Sequence, residues 1–320
     1  MLCSARGIRG TKIMAAEYDF IVNPKARSGM GEMIWRMLEP ELKKRRVVYR
    51  VHMTRKQRHA AKIAEKITAD GGRHTVIVLG GDGTVNETVN GICFPEKVTL
   101  GYIPIGSSND FARGLAIPKD PKEALEIILQ PKKIIHMDIG VLSGKRSRRF
   151  LVSAGIGFDA AVCHEVCVSR LKVLLNKIGL GKLSYAVVAL DRLIKDRPAR
   201  LTLTLPDGER KVFEKAYFAA FMNLPFEGGG FKFGPQASPE DGMLDVVVAY
   251  GLSLPKILFL LPLAFGGKHV GFKGVSIFRC ASLKVESENA LPLHTDGEPG
   301  FLRKRIEAAV LEEKLDVIAG

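Results

Sequence analysis

The sequence predicts a doubly wound α/β domain with a mostly parallel sheet, followed by an antiparallel β-sandwich with helical insertions. Three observations carry this. Apolar runs alternate with segments of helical period through the first part of the chain, the pattern of strand–helix–strand units. Each of these runs ends in a turn rich in glycine, asparagine or hydroxyl residues. From about residue 133 onward strands come in pairs joined by polar turns, the mark of hairpins.

YDFIV (18–22) reads as a strand ending at Asn23-Pro24. MGEMIWRMLEPELKKRR follows with helical spacing through Ile34, Leu38 and Leu42, and Pro40 is expected to kink it. VVYRVHM (47–53) is a second strand, and Thr54 is expected to cap a helix that stops at Gly71. TVIVL is the third strand, and Val85, Val89 and Ile92 share one face of a short helix after it. VTLGYIP (98–104) is the fourth, followed by helical NDFARGL and PKEALEIIL. In such sheets ligands bind beyond the carboxyl ends of the strands. The turns at Asn23, Thr54, Gly80–Thr84 and Gly106–Asn109 all fall there.

Further on, KIIHMDIGVL and FLVSAGIGF are expected to pair across SGKRSR, and ARLTLTL with RKVFEKAYFAAFMNL across PDGE. MLDVVVAY, VSIFRCASLKVES and NALPLHTDG supply more strands. Helical material interrupts at roughly 159–195 and 253–265. RIEAAVLEEKLDVIAG is ambiguous between strand and helix. The expected divisions are a flexible extension over 1–16, an α/β domain over 17–138 to which about 303–320 returns, and a β-rich domain over 139–302.

The net charge of +14 favours anionic partners such as lipid surfaces or phosphorylated small molecules. The basic residues are dispersed and not interleaved with aromatics, so no nucleic-acid platform is expected. Five cysteines in a long chain do not form a disulfide framework. Cys163, His164 and Cys167 lack a second ligand pair, so CHEVC reads as a helix burying two thiols. The first residues, MLCSARGIRGTKIM, have no apolar core and are not a secretory signal; Met14 is an alternative start. LSLPKILFLLPLAFGG (252–267) carries Lys256 and two prolines and is too short to span a bilayer. It reads as a core or surface-docking helix.

LGGDGTVN (79–86) raises the chemical question. Glycines permit close backbone approach, and a helix opening after them offers free N–H groups to an anion. Asp82 would repel phosphate directly, which points to Mg²⁺ or to an ordering role for the loop. No G-x-x-x-x-G-K-[ST] occurs, so the turn is not a P-loop, and no dinucleotide fingerprint is present. IPIGSSNDFARG (103–114) repeats the design of strand, glycine, hydroxyls and helix start, with Ser108 or Asn109 as an ordinary cap in the plain structural reading. Asp296-Gly297 in LHTDGEPG looks like a hairpin turn with a carboxylate, Glu298, beside it.

IVNPKARSG, GGDGTVNETVNGI, IPIGSSNDFARGL, SPEDGMLDV and HTDGEP, in this order, resemble the diacylglycerol kinase catalytic-domain family over about residues 17–318. The resemblance implies a first domain like that of NAD kinases and phosphofructokinases, ATP and Mg²⁺ as cofactors, and transfer to a lipid alcohol. It places the nucleotide at Asn23, Arg27, Thr54, Gly80, Gly81, Asp82, Gly83, Thr84, Asn86, Glu87, Gly106, Ser107, Asn109 and Asp110. It makes Glu298 the general base, with Asp82 beside the reaction, and puts a structural Mg²⁺ at Ser238, Asp241 and the carbonyl of Met243. Ser107 stands where many members have threonine. The competing readings are an NAD-kinase-like enzyme for a soluble acceptor and a non-catalytic nucleotide- or lipid-binding regulator. A cytoplasmic protein in peripheral contact with anionic membrane is expected, and homodimerisation is left open.

Overall fold

The runs FIV and VIVL have no polar alternation, as central strands of a parallel sheet covered on both faces require. In a computed structural model, which describes residues 17–144, 147–161 and 197–320, both lie in the middle of the first domain with their side chains fully buried. The six-stranded sheet has the order β2 (Val48–Met53), β1 (Glu17–Val22), β3 (His74–Gly80), β4 (Val98–Pro104), β17 (Leu315–Ala319), β5 (Lys133–Met137). The first four strands and β17 run parallel; β5 is antiparallel to β17. Helices α1 (Ala26–Lys44), α2 (His59–Thr68), α3 (Asp82–Gly91), α4 (Asp110–Gly114) and α5 (Pro121–Leu129) connect the strands. Ile34, Leu38 and Leu42 are buried under α1 as their spacing predicts.

The second domain is one large antiparallel sheet. Its main path is β15 (Glu298–Pro299), β14 (Leu293–Thr295), β8 (Ser153–Gly157), β10 (Arg210–Met222), β9 (Ala199–Thr204), β13 (Ser282–Leu291), β16 (Arg303–Val310), β6 (Gly140–Ser143) and β7 (Arg148–Phe150). β11 (Leu244–Tyr250) joins β10 to β12 (Val275–Cys280). Helix α6 (Leu254–Phe265) lies between β11 and β12 in sequence. Among the described residues each sheet has a large apolar cluster, and a smaller one forms around Ala220, Met222, Ala237 and Val247.

Several expectations are corrected. KIIHM does not pair with FLVSAGIGF: it forms β5 on the edge of the first sheet, and the hairpin is β6–β7. RIEAAVLEEKLDVIAG is two strands in different sheets, so only β17 returns to the first domain while β16 stays in the second. Pro40 leaves α1 helical, and the break falls at Arg27, Ser28 and Gly29, which all have left-handed backbone. Thr54 caps nothing; its N–H bonds the carbonyl of Val22, and α2 starts only at His59. The CHEVC segment and most of the expected helical stretch at 159–195 lie outside the described residues.

Helices α2 and α3 pack closely because Gly91 has no side chain. A methyl group there would sit 2.0 Å from the carbonyl oxygen of Ala61. Backbone cannot yield as a side chain can, so Gly91→Ala is expected to lower stability by about 1–3 kcal/mol in urea unfolding.

Candidate functional site

The carboxyl ends of four strands are in register. Val22 pairs with Met53 on one side and Leu79 on the other, and Gly80 pairs with Pro104. The strand order reverses direction between β1 and β3, which opens a crevice at that edge. Asn23 leaves β1 there and donates from Nδ2 to Thr84 Oγ1 of α3 at 3.1 Å. Thr54, at the end of β2, is buried beside Val22.

The two glycine turns touch. A methyl on Gly81 would lie 3.3 Å from Gly106 Cα, and one on Gly106 would lie 2.8 Å from Gly81 Cα. Gly80 is equally confined, since a methyl there would meet Thr84 Oγ1 at 2.6 Å. The buried Tyr102 hydroxyl stands 3.2 Å from both the Gly80 carbonyl and Asn109 Oδ1, and serves one at a time. Asn109 in turn donates to the Gly106 carbonyl, so it braces the second turn and does not cap α4. Its left-handed backbone permits this. Ser107 is exposed on the same turn.

Gly81 is the N-cap of α3 and supplies no side-chain cap, which leaves the first N–H groups of the helix available. Asp82 accepts from the backbone N–H of Asp110 and of Phe111, both at 3.3 Å. Burial, then the charge of Asp110, push the Asp82 carboxyl up to about 7. Asp110 is itself buried; it accepts from Gly229 N at 2.7 Å and pairs with Arg113. Its carboxyl is raised, chiefly by burial. The rim therefore holds two adjacent carboxylates on one side of an N–H-rich turn.

The second domain contributes the Asp-Gly turn. Asp296 and Gly297 both have positive φ, and Thr295 pairs with Glu298 across them, a two-residue hairpin. Asp296 accepts from Leu151 N, Val152 N and Ser153 N at 2.8–3.2 Å and from Asn86 Nδ2 at 2.8 Å. Burial raises its carboxyl against the pull of these donors. Asn86 also accepts from Arg148 and donates to the Arg149 carbonyl, and Arg149 reaches the carbonyls of Val89 and Ile92 at the end of α3. With Asp296 so held, Glu298 points at the glycine loop: a methyl on Gly83 would lie 2.3 Å from Glu298 Oε1.

Other expected residues land elsewhere. Asn86 is buried in this interdomain joint, and Glu87 takes the N–H groups of Arg58 and Ala60 at the start of α2. Arg27 is exposed in the left-handed stretch after β1. Asp241 accepts from Met243 N, with its other oxygen 3.6 Å from Arg279 Nη1. With Ser238 and the Met243 carbonyl the donor set is all oxygen, the chemistry Mg²⁺ prefers.

Sequence reasoning missed a buried cluster. His294 Nε2 lies 3.1 Å from Asp159 Oδ2 and 3.0 Å from Glu227 Oε1, and Gly155 leaves room for Asp159 and His294. The three ligand atoms lie within 4.8 Å of one another, close enough for a divalent ion. However, the Gly297 N–H donates to Nδ1 at 3.3 Å, which puts the ring proton on Nε2 and disfavours ligation there. Burial raises the Asp159 carboxyl. Only the histidine of HTDGE offered a signal; Asp159 and Glu227 come from distant segments.

Comparison with known proteins accords with this layout. The diacylglycerol kinase catalytic domain matches residues 17–142, and the YegS C-terminal NAD kinase beta sandwich-like domain matches 152–317. The chain is 32% identical to the putative lipid kinase YtlR of Bacillus subtilis over 294 residues, 88% of this chain and 93% of that protein. It is 31% identical to a diacylglycerol kinase of the same organism, over 76% of this chain and 75% of that one. A putative diacylglycerol kinase from Bacillus anthracis superposes with a TM-score of 0.75 at 23% identity, covering 96% of this chain and 97% of that one.

Removing the Asp296 carboxylate leaves several backbone N–H groups without an acceptor. Asp296→Ala is expected to cost about 3 kcal/mol in urea unfolding. Asp82 gives a pH test. A carboxyl raised in the folded state makes its full contribution below the ordinary carboxylate pKa, and that contribution is lost as pH climbs through about 7. Asp82→Asn is therefore expected to raise the Tm of the nucleotide-free protein at about pH 8 and to leave it nearly unchanged at about pH 4.

Proposed function

From the premise that the chain belongs to the diacylglycerol kinase catalytic-domain family, we propose that it is an ATP-dependent lipid kinase acting on the hydroxyl of a lipid alcohol such as diacylglycerol. The observation that supports this best is the Glu298 carboxylate lying against Gly83 of the glycine loop, brought there from the opposite domain. A kinase for a weakly acidic hydroxyl needs a carboxylate poised over a phosphate-binding turn, and this is such an arrangement.

When bound, ATP supplies the γ-phosphoryl group, with ADP keeping the electron pair of the broken P–O bond, and Mg²⁺ neutralises phosphate charge. Gly80, Gly81 and Gly106 keep side chains out of the crevice, and the start of α3 directs N–H groups into it. Asp82 and Asp110 provide the oxygen donors that fit Mg²⁺ beside that turn. Their raised affinity for protons in the free protein fits a site completed by a cation. Asn23 and Thr84 hold the two edges of the crevice together. Glu298 accepts the proton of the acceptor hydroxyl as its oxygen bonds to phosphorus. Ser238, Asp241 and Met243 are the residues proposed for a separate structural Mg²⁺. In this reading the enzyme works from the cytoplasm on membrane lipid.

Purified protein with Mg-ATP is expected to phosphorylate diacylglycerol or another lipid alcohol in mixed micelles, and not NAD. Glu298→Gln is expected to lower kcat by about 10²–10⁴ while nucleotide affinity holds. Gly83→Ala separates positioning from folding: its methyl would displace the flexible end of Glu298, so kcat should fall with little change in Tm. Full turnover by Glu298→Gln would remove the base assignment.

A further inference from the structure

Helix α6 breaks the usual rule for a surface helix. Its inner face buries Ile257, Leu260 and Ala264. The opposite face would carry polar groups on an ordinary soluble domain. Instead Leu258, Phe259 and Phe265 are 49%, 58% and 53% exposed, with Leu254, Pro262 and Val270 also exposed. Outward-facing apolar side chains in one stripe mark a surface that meets something other than water.

The charge around the stripe says what. Residues 246–285 contain no aspartate or glutamate, while Lys256, Lys268 and Lys273 lie in or directly after the helix. Lys268 and Lys273 are exposed, and Lys256 donates to the carbonyl of Lys273, tying the helix to the following loop. Apolar side chains ringed by cations match an anionic bilayer, whose headgroups attract lysine and whose acyl boundary accepts leucine and phenylalanine. A second copy of the chain would bring two cationic rims together, which like-charge repulsion opposes.

The position of α6 relative to the site adds to this. The loop after β10 has one end under the helix: Phe231 stacks on Phe265 with centroids 3.9 Å apart, and Lys232 N bonds the Ala264 carbonyl. The same loop reaches the rim, where Gly229 N bonds Asp110 and Glu227 meets His294. One short segment thus links the apolar stripe to the crevice.

We infer that the outer face of α6, with Lys256, Lys268 and Lys273, is the surface by which this protein docks on anionic membranes, seating the crevice beside its lipid substrate. The purpose of docking rests on the lipid-kinase reading, but the docking itself is testable without turnover. The chain has a single tryptophan, the buried Trp35, so Phe259→Trp provides a local reporter. With vesicles of phosphatidylcholine containing about one third phosphatidylglycerol, its emission is expected to shift to the blue and to be quenched by brominated acyl chains. With phosphatidylcholine alone the shift should be weak. In vesicle sedimentation, each Lys→Gln change at 256, 268 or 273 is expected to weaken binding by about fivefold. Leu258→Ser with Phe259→Ser should abolish binding while Tm and nucleotide binding hold. No shift, equal binding to neutral and anionic vesicles, or wild-type dimers that the serine variant dissolves would each overturn the inference. Docking without lipid phosphorylation would keep it and remove the kinase reading; lipid phosphorylation in micelles without docking would do the reverse.

Discussion

The arrangement depends on one carboxylate. Asp296 gathers the N–H groups of three consecutive residues, Leu151 and Val152 after β7 and Ser153 at the start of β8, and the side chain of Asn86 on α3. Such donors are costly to leave unpaired away from water, so the turn that carries Asp296 has one favoured position against the first domain. The left-handed backbone of Asp296 and Gly297 makes the hairpin tight, and Glu298 is only the next residue. The pairing of Thr295 with Glu298 then leaves little freedom for the strand that presents the carboxylate. A single buried acceptor thereby sets where the Glu298 carboxylate can be.

Close approach is the second constraint, and glycine supplies it. The contact between Gly81 and Gly106 joins the ends of β3 and β4 more tightly than any side chain permits. That closeness buries charge: desolvation, and then the charge of Asp110, raise the proton affinity of Asp82, and Asp296 adds to it. A fold selected for stability alone would not place acidic groups so near each other at a partly desolvated edge. The strain is intelligible if a cation normally completes the site.

Much of this was legible in the sequence. The uninterrupted apolar runs gave the central strands, and their terminal turns gave the rim, because parallel strands must end on the same edge. The Asp-Gly pair announced a hairpin through its tolerance for positive φ. What failed depended on distant partners. The cap of α2 comes from Glu87 on another helix, so Thr54 looked like the natural candidate. KIIHM has the alternation of a hairpin strand, yet its partner is the last strand of the chain. The Asp159–Glu227–His294 cluster draws on three segments with no shared local pattern.

The chain's path explains why the crevice is assembled in advance. It leaves the first sheet after β5 and returns only as β17, so two covalent crossings lie side by side, with the Leu311 N–H bonded to the Ile139 carbonyl. Asn223, fully buried, donates to the carbonyls of Asp138 and Leu151, and Lys314 pairs with the buried Asp138. Together with the Asp296 joint these bonds stitch the domains at several points. Opening them would expose unpaired buried groups, which resists wide hinge motion. Because the lobes are held, Glu298 lies against the glycine loop. In the proposed reading a lipid acceptor is brought to this standing cleft, and the proposed docking face of α6, one loop away, complements such rigidity.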